Sequence, residues 1–140
     1  MIRRMRISEL DEIGDIWLQS NLEAHNFIDK NYWLDNLIPV KEQFKKADIF
    51  VYTENEKVLG FVGLQDNYIA GIFVKSEFRS HSIGRQLLDY LKNNYSNLSL
   101  DVYDKNSRAV KFYQTNDFGI VSTDIDRDSN EKEYRMSWSK

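Results

Sequence analysis

The chain has 140 residues, 41% of them hydrophobic, and a formal net charge of −3, which fits one globular domain over residues 1–140. The acidic balance argues against nucleic acid or an anionic membrane as a partner, because both require a surplus of basic side chains. With no cysteine, no apolar stretch after the basic N-terminus and no run long enough to span a bilayer, the expected location is the cytoplasm.

Strand-like and helix-like segments alternate along the chain in the order β-α-α-β-β-β-α-β-α-β-β. Apolar residues recur about every 3.6 positions in the helices, and short apolar runs bounded by polar turns mark the strands. Ser8 is expected to cap the first helix, and Pro39 is expected to break or start a helix in the second helical region. In chain order the segments cover residues 1–7, 8 to about 21–25, 29–46, 49–52, 58–64, 68–74, 83–95, 98–103, 106–115, 118–123 and 133–138.

The stretch from Tyr68 to Leu88 indicates an apolar strand, a polar turn and a helix that opens with small residues. The free N–H groups at such a helix start, with the positive end of the helix dipole, form a place to hold phosphate. The turn also carries Arg79 and Arg85. Taken alone, the same residues fit a plain strand-to-helix connection capped by Ser80 or Ser82.

The turn at residues 79–84 and the helix at residues 106–113 carry two motifs that resemble those of the GNAT superfamily of acyl-CoA-dependent N-acetyltransferases. The N-terminal stretch with Ile16-Trp17, residues 24–27 and Tyr32 also resembles the small bacterial stand-alone members of that family. Residues 79–84, Arg-Ser-His-Ser-Ile-Gly, are similar to the family pattern Arg/Gln-x-x-Gly-x-Gly/Ala, with Ser82 in place of the first glycine. Residues 106–113, Asn-Ser-Arg-Ala-Val-Lys-Phe-Tyr, match the family's Asn-x-x-Ala-x-x-Phe-Tyr helix, and its usual Gly-Phe ending stands here as Asp117-Phe118. The resemblance covers the whole chain.

The resemblance, together with the element order, implies an α/β (α+β) GNAT-like fold: a single mixed, mostly antiparallel sheet of six to seven strands, with helices on both faces and a splay between strands 4 and 5. Acetyl-CoA is expected in that splay as co-substrate, between the strands at 68–74 and 98–103. Backbone groups are expected to meet its pantetheine arm and acetyl carbonyl, one N–H as oxyanion donor, at Gly71, Ile72, Phe73 and Val74. The residues expected to hold the diphosphate are Arg79, Ser80, Ser82, Ile83, Gly84 and Arg85. His81 is expected to face either the solvent or the phosphates of the cofactor. Asn106 is expected to cap its helix, to bond the pantetheine, or to do both.

Tyr113 is the expected general acid, because the family places a tyrosine here to protonate the departing thiolate and a phenol keeps its proton at pH 7. The alternative is a core aromatic beside Phe112. The general base is left open among a glutamate, a histidine and an ordered water, and His25 is either a candidate or a histidine that ends the first helix at the surface. The residues expected to line the acceptor pocket are His25, Phe27, Tyr32 and Tyr103, together with Glu23 and Trp33. No metal site is expected, since two separated histidines without cysteine give no ligand cluster.

The sequence therefore predicts an N-acetyltransferase that moves an acetyl group from acetyl-CoA to a primary amine by direct attack. The acceptor is a small-molecule or peptide amine, and the protein is a monomer or a homodimer. The departures from the motifs at Ser82 and Asp117 leave open a non-catalytic acyl-CoA-binding or sensing module on the same fold. A nucleotide-binding module is disfavoured, because the chain lacks a Gly-Lys-Ser/Thr phosphate loop.

Overall fold

Among the described residues, seven strands form one sheet with helices on both faces. The computed structural model describes the backbone of residues 1–140 and every side chain except that of Ser80. The strands are β1 (Ile2–Arg4), β2 (Asp48–Glu54), β3 (Lys57–Gln65), β4 (Tyr68–Val74), β5 (Asn97–Tyr103), β6 (Gly119–Ile125) and β7 (Lys132–Ser139). The helices are α1 (Leu10–Ala24), α2 (Lys30–Phe44), α3 (Ile83–Asn94) and α4 (Ser107–Thr115), with 3-10 turns at Ile7–Glu9 and Ser76–His81. Within this described part of the chain, no helix combines the length and the apolar character needed to cross a membrane.

The strand order is β1-β2-β3-β4-β5-β7-β6, and the neighbouring strands are antiparallel except for β4 and β5. The parallel pair is short, since its register covers only Tyr68 opposite Ser99 and Ile69 opposite Leu100. β4 nevertheless stays paired with β3 as far as Val74. The two central strands therefore diverge after their first residues. The predicted mixed, mostly antiparallel sheet with a splay between strands 4 and 5 is confirmed.

Alternating side chains give the sheet two apolar faces, and each face is covered by a different pair of helices. One cluster joins the apolar stripe of α3 to β5 through Ile83, Leu87, Leu88, Leu91, Leu98 and Leu100. The other joins α1 and α2 to β2 and β3 through Ile13, Ile16, Trp17, Trp33, Phe44, Val51 and Phe61. The splay thus lies between two packed layers, which gives its walls a rigid backing.

The N-terminal part of the chain differs from the sequence prediction. Ser8 does not cap the first helix, because it lies inside the 3-10 turn that precedes α1. Glu9 fixes this entry instead: it accepts a hydrogen bond from the Arg6 backbone N–H at 2.8 Å and pairs with Arg3 at 2.6 Å. β1 is correspondingly shorter than predicted.

The prediction that Pro39 breaks or starts a helix is wrong, because Pro39 lies inside the continuous helix α2. Proline in a helix interior removes one backbone hydrogen bond and costs about 3 kcal/mol. Packing on both sides of the proline outweighs this cost: Trp33 and Phe44 are buried, and Lys41 Nζ contacts Asp11 Oδ1 of α1 at 2.5 Å. Tertiary contacts therefore override the local signal.

Candidate active site

A cleft of about 930 Å³ opens where β4 and β5 separate. Its walls come from the end of α1, the splayed half of β4, the start of α3 and one side of α4. The edge of β4 that faces β5 loses its pairing partner there, so backbone groups on that edge are open to the cleft. The predicted site residues that line the cleft are Glu23, His25, Ile72, Phe73, Val74, Arg79, Ser82, Gly84, Arg85, Asn106 and Tyr113.

Three residues that were predicted to bind the cofactor are not among those that line the cleft. Ile83 is 1% exposed and belongs to the core beneath α3, so only its backbone is available to a ligand. His81 is exposed and packs edge-on against Phe78. Gly71 leaves room for the ring of Phe73, because a methyl group at position 71 would collide with that ring. The prediction for the Ser80 side chain lies outside the described side chains.

Ser82 gives its shape to the turn at residues 79–84, which is called the phosphate turn because phosphate is predicted to bind there. Its backbone is left-handed, with φ 61° and ψ 22°, and α3 begins at the next residue. The Ser82 side chain makes no capping hydrogen bond with any described residue, so a turn capped by Ser82 is not what the chain forms. The first N–H groups of α3 consequently remain available. Serine thus adopts the conformation for which the motif's glycine is suited, at a cost of roughly 1–2 kcal/mol.

Basic side chains dominate the charge of the cleft although the whole chain is acidic. Arg79 donates a hydrogen bond from Nη2 to Glu23 Oε2 at 2.8 Å, which ties the phosphate turn to α1. Sequence reasoning missed two further cations, Lys105 and Arg108, which line the cleft on either side of the start of α4. Their position beside the Asn106 motif was the available signal. Together with Arg85, these side chains create a local field that favours phosphate.

Tyr113 combines a core position with a place in the cleft wall. Its side chain is 7% exposed, and its ring centroid lies 5.3 Å from that of Phe112 and 5.7 Å from that of Phe118. These contacts hold the ring in one orientation. Burial raises the pKa of the Tyr113 phenol, so the hydroxyl keeps its proton at neutral pH and above.

His25 connects α1 with α4 through two hydrogen bonds. Its Nδ1 lies 3.0 Å from Asn21 Oδ1, and its Nε2 lies 3.1 Å from Asn106 Nδ2. Burial lowers the pKa of His25 to about 4, so the ring is neutral at physiological pH. Asn106 also caps α4, because its Oδ1 accepts from the Ala109 N–H at 3.3 Å. Sequence reasoning missed Asn21, although its spacing of four residues from His25 puts both side chains on one side of the helix.

His25 and the aromatic residues predicted for the acceptor pocket form one cluster beside the cleft, whereas Glu23 lines the cleft itself. A cavity of about 410 Å³, lined by His25 and Phe27, adjoins it. Tyr103 packs edge-on against both rings, at centroid distances of 5.0 and 5.7 Å. Trp33 stacks on His25 at 5.3 Å, and Tyr32 packs against Trp33 at 4.8 Å. A cluster of aromatic rings therefore lies directly beside the basic cleft.

Glu133 of β7 lies directly opposite Tyr103 of β5 in the sheet. Burial, together with the nearby carboxylates of Asp101, Asp126 and Asp124, raises the pKa of Glu133 to about 7. Asp126 also accepts a hydrogen bond from the Tyr103 hydroxyl at 2.9 Å. Sequence reasoning missed this carboxyl, because its neighbours come from β5, β6 and the turn after β6 and meet only through strand pairing.

A splayed sheet, an open helix start and basic side chains around one cleft are the architecture of an acyl-group transferase. A family model described as acetyltransferase (GNAT) domain matches residues 45–120. The peptidyl-lysine N-acetyltransferase YiaC of Escherichia coli K12 is 35% identical over 140 residues, which cover 99% of this chain and 96% of YiaC. The chain belongs to the GNAT acetyltransferase family and is an N-acetyltransferase.

Solved structures share the same fold. Apo-form YjaB from Escherichia coli superposes with a TM-score of 0.87 at 24% identity, covering 99% of this chain and 96% of YjaB. The structure of yncA from Salmonella typhimurium with its cofactor acetyl-CoA gives a TM-score of 0.72 at 15% identity, covering 99% and 92% of the two chains. Family membership and the name of the relative YiaC favour an enzyme over a non-catalytic acyl-CoA-binding module.

Proposed function

We propose that the chain transfers the acetyl group of acetyl-CoA to the ε-amine of a lysine side chain in a protein or peptide. One observation carries this proposal: the open start of α3, the basic side chains and Tyr113 all border a single cleft. The name of the relative YiaC, a peptidyl-lysine N-acetyltransferase, supports lysine as the acceptor. The proposal includes a cytoplasmic location, one domain over residues 1–140, and a monomer or homodimer.

The residues present fit a coenzyme. The backbone N–H groups at the start of α3 and the guanidinium groups of Arg79 and Arg85 would hold the diphosphate. The unpaired edge of β4 at residues 71–74 would hold the pantetheine arm and offer an N–H to the acetyl oxygen. When bound, acetyl-CoA supplies a thioester, which an amine can attack directly.

Tyr113 and Glu133 are the residues we propose for the two proton movements. The neutral Tyr113 phenol would give a proton to the departing sulfur, since burial raises its pKa and the proton is present throughout the neutral range. Glu133, which lies opposite Tyr103 of the aromatic cluster in the sheet and has a pKa of about 7, would take the proton that the attacking amine loses. The protein loses one proton from Tyr113 and gains one at Glu133, so its net charge is unchanged by the transfer.

Acetyl transfer to lysine is tested by following thiol release with lysine-containing peptides and with the same peptides carrying acetyl-lysine. We expect release only with the free lysines. Tyr113→Phe should lower kcat by about 10²- to 10⁴-fold and leave coenzyme A affinity within about twofold. Tyr95→Phe, at a partly buried tyrosine following α3, is the control. An unchanged kcat in Tyr113→Phe would remove Tyr113 from the reaction, and failure to bind coenzyme A in calorimetry, with ATP as comparison, would overturn the function itself.

A further inference from the structure

Asn21, His25 and Asn106 form a chain of hydrogen bonds whose two ends fix the orientation of every member. Asn21 Nδ2 donates to the Trp17 carbonyl at 2.9 Å, which leaves Asn21 Oδ1 facing His25 Nδ1. Asn106 Oδ1 accepts from the Ala109 N–H, which leaves Asn106 Nδ2 facing His25 Nε2. Both ring nitrogens of His25 therefore have an assigned partner.

The chemistry of the two amides determines where the His25 proton lies. An amide oxygen only accepts and an amide NH₂ only donates. His25 must therefore carry its proton on Nδ1 and present the lone pair of Nε2 to Asn106. A second proton on Nε2 would place two donors against each other, so this nitrogen cannot also take a proton from the acceptor amine.

The surroundings of His25 favour the same neutral form. Trp33 of α2 stacks on the ring with an interplanar angle of 27°, while Phe27 and Tyr103 contact it edge-on. Tyr103 is thus the ionisable residue of β5 that packs on the His25 ring. Burial raises the pKa of Tyr103, so its phenol is neutral. The low pKa of His25 agrees with this environment, which offers an imidazolium little solvation.

We propose that His25 is a positioning residue: its neutral ring, protonated on Nδ1, ties the end of α1 to the cap of α4 and so sets the place of Tyr113 in the cleft. Asn106 and Tyr113 lie seven residues apart, about two helical turns, and α4 is one continuous helix. A displacement at the cap is therefore carried to Tyr113. This inference rests on the proposed role of Tyr113 as proton donor.

The tautomer is tested first, by NMR of the ring nitrogens in the ¹⁵N-labelled full-length protein. At pH 7 we expect a protonated Nδ1 and an unprotonated Nε2 for His25, with no change down to about pH 5. The opposite tautomer, or a titration near the usual histidine pKa, would overturn the proposal. This measurement needs neither coenzyme nor turnover, so its failure is distinguishable from failure of the proposed function.

The positioning role is tested by two substitutions of His25, of which only one keeps polar groups that can replace the ring nitrogens. His25→Gln offers an amide oxygen to Asn106, whereas His25→Leu offers none. We expect His25→Leu to lower kcat about ten- to a hundredfold, with the KM for acetyl-CoA within about threefold, and His25→Gln to recover most of the loss. Equal kcat in His25→Leu and the wild type would refute positioning, as would equal losses in both variants.

Asn106→Asp gives an independent measurement should His25→Leu fail to fold. The carboxylate can still accept from the Ala109 N–H, but it cannot donate to His25 Nε2. His25 is then expected to take up a proton on Nε2, to titrate near neutral pH in the NMR spectra, and to give kcat a pH dependence that follows this titration. Ring signals identical to those of the wild type would show that Asn106 does not control the ring.

Discussion

Replacement of Ser82 by glycine is expected to stabilise the protein. Ser82 has φ 61° and ψ 22°. A residue with a Cβ costs roughly 1–2 kcal/mol in this region, whereas glycine fits it without strain. Glycine also gives the unfolded chain more freedom, which takes back about 0.4–1 kcal/mol. The expected net gain is about 0.5–1 kcal/mol, or a rise in Tm of about 2–4 °C for a domain of this size.

Thermal and urea unfolding of matched variants measure this gain. Ser82→Ala keeps the Cβ and removes only the hydroxyl, which caps no described backbone group, so its stability should equal that of the wild type within about 0.5 kcal/mol. Asp117→Gly tests the other motif position at which a non-glycine residue is left-handed, with φ 74°. Its gain should be smaller, because aspartate tolerates this region better and because Lys92 Nζ lies 4.0 Å from the carboxylate.

Two results would refute the reasoning about Ser82. A Ser82→Gly protein no more stable than Ser82→Ala would mean that the left-handed conformation carries no strain or is not the one in solution. A large loss in Ser82→Ala would mean that the hydroxyl caps the helix after all. Coenzyme A affinity should stay within about twofold in Ser82→Gly, because the amides of α3 keep their positions.

Three further predictions concern charge. Between pH 7 and 4.5 the wild type should lose about 2 kcal/mol of stability that His25→Gln does not lose. The reason is that the His25 ring takes up a proton near pH 6.5 in the unfolded chain but only near pH 4 in the folded protein. This difference in pKa corresponds to about 3 kcal/mol, which solvent screening reduces because the ring is partly exposed. Glu133→Gln should remove an acidic limb near pH 7 from the profile of kcat/KM, and Asp124→Asn should move that limb to lower pH. Glu23→Gln should tighten coenzyme A binding about two- to fivefold in calorimetry, because it removes the negative charge beside Arg79.

Each of these three predictions has its own control or contrary outcome. His81→Gln, at an exposed histidine, should leave the acid sensitivity of stability as in the wild type. An acidic limb that persists in Glu133→Gln would assign the proton transfer to another group. Weaker coenzyme A binding in Glu23→Gln would mean that the ion pair with Arg79 organises the phosphate turn instead of competing with the ligand.

What could be predicted from the sequence is what local chemistry determines. The apolar spacing in α3 and the small residues before it locate the turn and the start of α3 without any long-range information. The continuity of α2 through Pro39 could not be predicted in this way, since it depends on contacts with another helix. The raised pKa of Glu133 could not be predicted either, because it depends on carboxylates that only the pairing of β5, β6 and β7 brings near.

The two departures from the family motifs have the same physical explanation. Ser82 and Asp117 stand where the motifs have glycine, and both residues have positive φ, at 61° and 74°. What a glycine contributes at such positions is a backbone conformation, and serine and aspartate reach that conformation here at a moderate cost in stability. Phosphate is held at a helix start through backbone amides, whose positions follow from that conformation and not from the side chain. The substitutions therefore alter the stability of the turns, and they give no reason to expect that the acetyltransferase site is lost.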